Sequence, residues 1–75
     1  MSIIVNVIRS HDGKPFKNVL VDVVFSGALS GSVSGRTNSS GQAIFNSKPN
    51  REGKILVSKK VVFDGRIPSS ISVSA

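Results

Sequence analysis

The amino-acid sequence predicts an all-β fold, a six- to seven-stranded antiparallel β-sandwich formed by a single domain over residues 1–75. Short segments rich in Val and Ile alternate between apolar and polar residues, as half-buried strands do. Turn residues separate these segments about every ten positions, a spacing typical of sandwiches and barrels. No segment shows the helical period. An odd number of strands and the serine-rich outer positions favour an open sandwich over a closed barrel.

The first half of the chain contains two predicted strands. Ile3–Ile8 is partly apolar on both faces, so this strand is either covered on both sides or lies at an edge that meets a partner. Asp12 and Gly13 form a strong turn dipeptide. Residues 19–25 give the clearest strand, with Val and Phe at alternate positions, and we expect it to be a central core strand.

The middle of the chain predicts a glycine-rich loop and a hairpin. Residues 27–31 are expected to form the loop, and a thin strand follows over residues 32–37 with Thr37 pointing inward. The turn lies at residues 38–41, where Asn and Gly tolerate the left-handed backbone. Residues 42–46 then return with Ala43 and Phe45 facing the core.

The last third predicts further short strands. Lys59 and Lys60 separate residues 54–58 from residues 61–63, so either a bulge lies there or two short strands meet. Asp64-Gly65 is a second turn dipeptide. The tail over residues 67–75 alternates cleanly, which favours an outer antiparallel strand with one buried and one wet face.

Composition restricts the classes of function. The chain has no cysteine, so no disulfide or thiolate site exists, and no apolar run is long enough to span a bilayer. It shows no signal peptide, so we expect a cytoplasmic protein or a domain excised from an exported one. Ten Lys and Arg residues against four acids give a net charge of +6, which suggests an acidic partner.

Sequence chemistry argues against catalysis. His11 stands between Ser10 and Asp12, but triads are assembled from distant residues that converge on a pocket. The four acids are isolated in the sequence, so the chain contains no local carboxylate pair and no calcium-binding loop motif. We expect no enzyme activity, no metal site and no cofactor.

Three motifs resemble known domain families. Residues 12–25 (DGKPFKNVLVDVVF) are similar to the opening of bacterial Ig-like domains of the invasin/intimin type. Residues 37–45 (TNSSGQAIF) resemble the hairpin of that family, and residues 53–57 (GKILV) resemble the strand after it. The same motifs resemble carboxypeptidase regulatory-like domains of transthyretin (prealbumin) topology. Both resemblances imply a seven-strand Greek-key β-sandwich with a structural or binding role and no catalytic residues.

The expected function is a non-enzymatic structural or protein-interaction module, part of a larger assembly or surface protein. Its partner, another protein or a second copy, would meet the edge strands, at the first strand and at the tail; the candidate residues are Ile4, Asn6, Ile8, Ile67 and Ile71. The alternative is a small basic protein that binds nucleic acid or an anionic surface. Its candidate basic face consists of Arg9, Lys14, Lys17, Arg36, Lys59 and Lys60.

Overall fold

A computed structural model describes residues 2–27 and 31–75, which contain seven strands and no helix. The strands are β1 (Ile3–Ile8), β2 (Leu20–Phe25), β3 (Gly31–Arg36), β4 (Gln42–Phe45), β5 (Arg51–Val57), β6 (Lys60–Ile67) and β7 (Ser70–Ser74). The all-β prediction is therefore confirmed. Most of the predicted glycine-rich loop, residues 28–30, lies outside the described residues. No described helix is long and apolar enough to cross a bilayer.

The strands form two sheets. One has three strands in the order β4-β1-β7, and the other has four in the order β3-β2-β5-β6. Four of the five strand pairs are antiparallel as predicted, but β1 and β7 are parallel. The reason is that β7 enters its sheet from β6 of the other sheet, so no hairpin fixes its direction relative to β1.

The core lies between the two sheets. In β1 and β2 every second residue is buried, and Val5, Val21 and Val23 are fully enclosed. Buried side chains from both sheets form one apolar cluster, an arrangement compatible with the predicted β-sandwich. Each large side chain buried in this way contributes about 1.5–3 kcal/mol through the hydrophobic effect. The central position predicted for residues 19–25 is confirmed, because β2 has a strand on each side.

The prediction of β1 as an edge strand is wrong. β1 is the middle strand of its sheet, with β4 on one side and β7 on the other. Two partly apolar faces are compatible with an edge strand and with a central strand. The pairing of β1 with β7, a strand far away in the sequence, makes β1 central. Ile4 and Asn6 therefore have strand neighbours on both sides. Ile8 lies between Ser74 of β7 and Pro15, so none of the three residues offers a free backbone edge.

The β5–β6 hairpin resolves the question of the lysine pair. Two strands meet there, and the turn residues Ser58 and Lys59 have φ angles of 52° and 69°. Positive φ at both central residues is the geometry of a tight type I′ turn. A register irregularity between Ile55 and Leu56 lies farther along the same hairpin.

Two predictions for the tail are wrong. Asp64-Gly65 is not a turn, since β6 continues through it to Ile67, with Asp64 opposite Lys54 and Gly65 opposite Gly53. Ladder pairing with β5 outweighs the local turn preference of the dipeptide. As a consequence Ile67 belongs to β6, where it is fully buried, and the last strand begins only at Ser70.

Candidate binding surfaces

β7 is an edge strand, as predicted for the tail. Ile4 N donates a hydrogen bond to Ser69 O at 2.9 Å, and Ala75 N donates one to Ile8 O at 2.9 Å. Residues with odd numbers in this segment thus direct their backbone groups toward β1. Successive residues of a strand direct these groups to opposite sides, so Ser70, Ser72 and Ser74 face away from β1. The free edge of β7 therefore presents the backbone of three serines.

The outer face of the three-stranded sheet carries no charge among the described residues. Asn6 lies at the centre of this face, and its Oδ1 accepts a hydrogen bond of 2.9 Å from Gln42 Nε2. Ile44 lies beside Ile4 and is 61% exposed, and Ile8 is 37% exposed. We call this surface the neutral face; the strand registers assign to it Ile4, Asn6, Ile8, Gln42, Ile44, Ser70, Ser72 and Ser74.

The predicted partner-binding residues separate into two groups. Ile4, Asn6 and Ile8 share the neutral face. Ile71 instead points inward beside Val5 and packs against the core, and Ile67 is 0% exposed. A partner that leaves the fold intact therefore has no access to Ile67. Sequence reasoning missed Gln42 and Ile44, although the inward assignment of Ala43 and Phe45 already implies that their neighbours face outward.

The other edge strands carry features that discourage strand addition. β6 includes the charged residues Lys60, Asp64 and Arg66 and an irregular register with β5. β4 has four residues, and β3 ends on Arg36. Short strands, charges and bulges are devices by which natural proteins block edge pairing. β4 and β7 both lack a charge and a proline, and β7 is the longer of the two by one residue, so it is the least protected edge described.

The six candidate basic residues are brought to one end of the fold. β1, β3, β5 and β7 finish at this end, and β2, β4 and β6 begin there. We call it the basic end. Three of its cations lie in or beside the β1–β2 connection, one closes β3, and two lie at the β5–β6 turn; they are Arg9, Lys14, Lys17, Arg36, Lys59 and Lys60.

Local contacts engage some of these cations. Arg9 Nε donates to Asp12 Oδ1 at 3.1 Å, and a second nitrogen of the guanidinium pairs with the other carboxylate oxygen. This hydrogen bond from Arg9 holds the pKa of Asp12 below its ordinary value, and the same bond raises the pKa of Arg9. Arg36 donates to Asn18 O at 3.1 Å, and Lys59 lies 3.8 Å from Asp22. Lys14, Lys17 and Lys60 make no ion pair with a described residue.

A groove of about 520 Å³ opens at the basic end, between the start of β6 and the finish of β7. Apolar side chains, serine hydroxyls and one cation line it; the residues are Ser10, Phe16, Val57, Ser58, Lys60, Val61, Val62, Ser74 and Ala75. Its volume falls within the range of small-ligand sites. Sequence reasoning missed this groove, because it lies between strands whose adjacency no local pattern records.

The groups considered for catalysis lie apart. His11 is exposed in the β1–β2 connection. Asp12 pairs with Arg9, and Glu52 lies 3.8 Å from Arg66. Within residues 2–27 and 31–75, no three His, Cys, Asp or Glu residues lie close enough to hold a metal ion.

Comparisons with known proteins leave the family open. No family model matches the chain, and no curated protein matches it.

Proposed function

We propose that this protein is a non-enzymatic interaction module that joins a larger assembly through the β7 edge and the adjoining neutral face. The observation that carries the proposal is the unprotected free edge of β7, with three outward-facing serine backbones and no charge. A partner strand that adds to such an edge gains main-chain hydrogen bonds, and its alternate side chains gain contacts on the two faces. The uncharged outer face beside β7 extends the contact area without any charge to desolvate.

Of the two resemblances, we propose the transthyretin-like one. In the immunoglobulin constant arrangement the first strand lies beside the second, and the third lies in the sheet of the sixth and seventh. Here β1 pairs with β4 and β7, and β3 lies beside β2. This order differs from the immunoglobulin arrangement and so favours the alternative.

Replacing Ser72 by proline tests the proposed edge. Ser72→Pro removes an amide that faces away from β1, so the internal sheet keeps its hydrogen bonds while an added strand loses one. Short random peptides displayed on phage are selected against the wild-type protein. We expect the enriched peptides to bind Ser72→Thr, which keeps the amide, and to lose binding to Ser72→Pro. Thermal unfolding of both variants verifies that they are folded.

Two results would contradict the proposal. One is the absence of any enriched peptide, and the other is equal binding to the proline and threonine variants. Sedimentation of the wild-type protein over a range of concentrations shows whether a second copy occupies the edge, in which case Ser72→Pro shifts the dimer toward monomer.

A second candidate function is nucleic-acid binding, which the clustering of six cations at the basic end favours. Binding of this kind depends on phosphate neutralisation and weakens steeply with salt. A titration of random-sequence DNA with the protein at increasing sodium chloride tests it. Tight binding at low salt with a steep loss supports this candidate, and no binding at low salt excludes it.

A further inference from the structure

The groove and the free edge of β7 lie on the same side of the molecule. β6 and β7 are the terminal strands of their sheets, and they contact each other across the gap between the sheets. The groove opens in this gap, and Ser74 and Ala75 contribute to its wall. A strand that pairs with β7 therefore runs along the mouth of the groove.

The groove has an apolar floor and a positive rim. Phe16, Val57 and Val62 are apolar lining residues, and Lys60 is the one charged residue among the described residues that line the groove. The two acids of the basic end are already engaged, Asp12 with Arg9 and Asp22 with Lys59. Lys60 has no ion-pair partner among the described residues, so its charge remains uncompensated.

The two-residue period of a β-strand determines which side chains of an added strand face the groove. Alternate side chains of an added strand point toward the inner side of the sheet, and those near Ser74 reach the groove. We infer that the partner of β7 is an acidic extended segment of another protein, with an apolar side chain on the groove floor and a carboxylate against Lys60. In the sequence of the partner segment, the apolar residue and the acidic residue lie two positions apart. This inference rests on the proposed function of the β7 edge.

Charge complementarity distinguishes this partner from a second copy of the chain. The protein carries a net charge of +6, and most of its cations lie at the basic end. A second copy placed across the groove brings like charges together, whereas an acidic segment neutralises them.

Charge reversal at Lys60 tests the acidic partner. The probes are synthetic versions of the peptides enriched on the wild-type protein, and the readout is affinity by fluorescence anisotropy. We expect these peptides to contain an acid two positions from an apolar residue. Lys60→Glu is expected to weaken them roughly five- to tenfold, as loss and reversal of a partly exposed ion pair does. The control is Lys48→Glu, the same charge change in an exposed loop residue at the opposite end of the fold, which leaves affinity unchanged.

A charge swap separates a direct contact from a change in structure. A peptide in which lysine replaces the acid is expected to bind Lys60→Glu more tightly than it binds the wild-type protein.

Enriched peptides without an acid overturn the inference, and so does equal weakening by Lys60→Glu and Lys48→Glu. If Ser72→Pro abolishes binding while Lys60→Glu does not, the acidic partner is excluded and the edge function stands. If Ser72→Pro has no effect, the edge function itself fails.

Discussion

Thr37 is a buried polar residue that links two connections of the basic end. Its Oγ1 accepts a hydrogen bond from Val19 N at 3.0 Å and donates one to Phe16 O at 2.6 Å. Its own backbone exchanges bonds with Val19 and Asn18. The hydroxyl therefore fixes the end of the β1–β2 connection, which carries Arg9, Lys14 and Lys17, against the end of β3.

Removal of this hydroxyl is expected to destabilise the fold. Thr37→Val keeps the shape of the side chain but leaves the buried Val19 N–H without its acceptor, which costs about 1–3 kcal/mol. Thr37→Ser keeps both hydrogen bonds and loses only a methyl group, which costs about 0.8 kcal/mol. Urea unfolding of the two variants measures the difference. A valine variant as stable as the serine variant would show that the hydroxyl contributes nothing.

At the scale of the elements, the β5–β6 hairpin shows how close packing overrides local preference. Gly53 of β5 and Gly65 of β6 are paired across the hairpin. The Cα of Gly53 lies close to the backbone of β2 and to the side chain of Ile67. An added Cβ at Gly53 would lie 2.4 Å from Val24 O and 2.9 Å from Ile67 Cδ1. The absence of a side chain there lets β5 approach β2 and lets Ile67 fill the core.

Gly53→Ala is accordingly expected to cost about 1–3 kcal/mol through overpacking against backbone. Gly31→Ala is the matched control, because a Cβ there meets no heavy atom within 4 Å. We expect the control to change stability by less than about 0.5 kcal/mol. Thermal or urea unfolding compares the pair, and equal stability of the two variants would contradict the close contact at Gly53.

At the scale of the whole molecule, charge is distributed unevenly. Asp12 and Asp22 are the acids that accompany the six cations of the basic end, whereas the neutral face carries no charge among the described residues. Repulsion among like charges destabilises a compact state, and salt screens it over a Debye length of about 8 Å at physiological ionic strength. The like charges of the basic end are therefore expected to cost some stability.

Sodium chloride is therefore expected to raise the thermal midpoint of unfolding. We expect an increase of about 2–4 °C between low and physiological salt, which corresponds to about 0.5 kcal/mol for a domain of this size. Lys17→Gln removes an exposed cation that forms no ion pair with a described residue, so this variant should show a smaller salt effect. A midpoint that falls with salt would show that ion pairs outweigh repulsion.

The sequence was informative wherever the signal is local. Period-two alternation identified the inward residues of β2 and β4, and Asn38 forms the predicted turn, since its Oδ1 accepts bonds from the N–H groups of Ser40 and Gln42. Alternation depends only on the pleat of a single strand, so it can be read without knowledge of neighbours. Asp64-Gly65 was misread, because pairing with β5 outweighs the turn preference of the dipeptide.

The sequence by itself determined an all-β chain, the buried face of most of its strands, the absence of cysteine chemistry and the basic charge. Tertiary structure alone decided that β1 is central, that β7 lies parallel to it at an edge, and that six scattered cations share one end beside a groove. Which strands become neighbours depends on how two sheets bury their apolar faces together. That choice is a property of the whole chain and is written in no single segment.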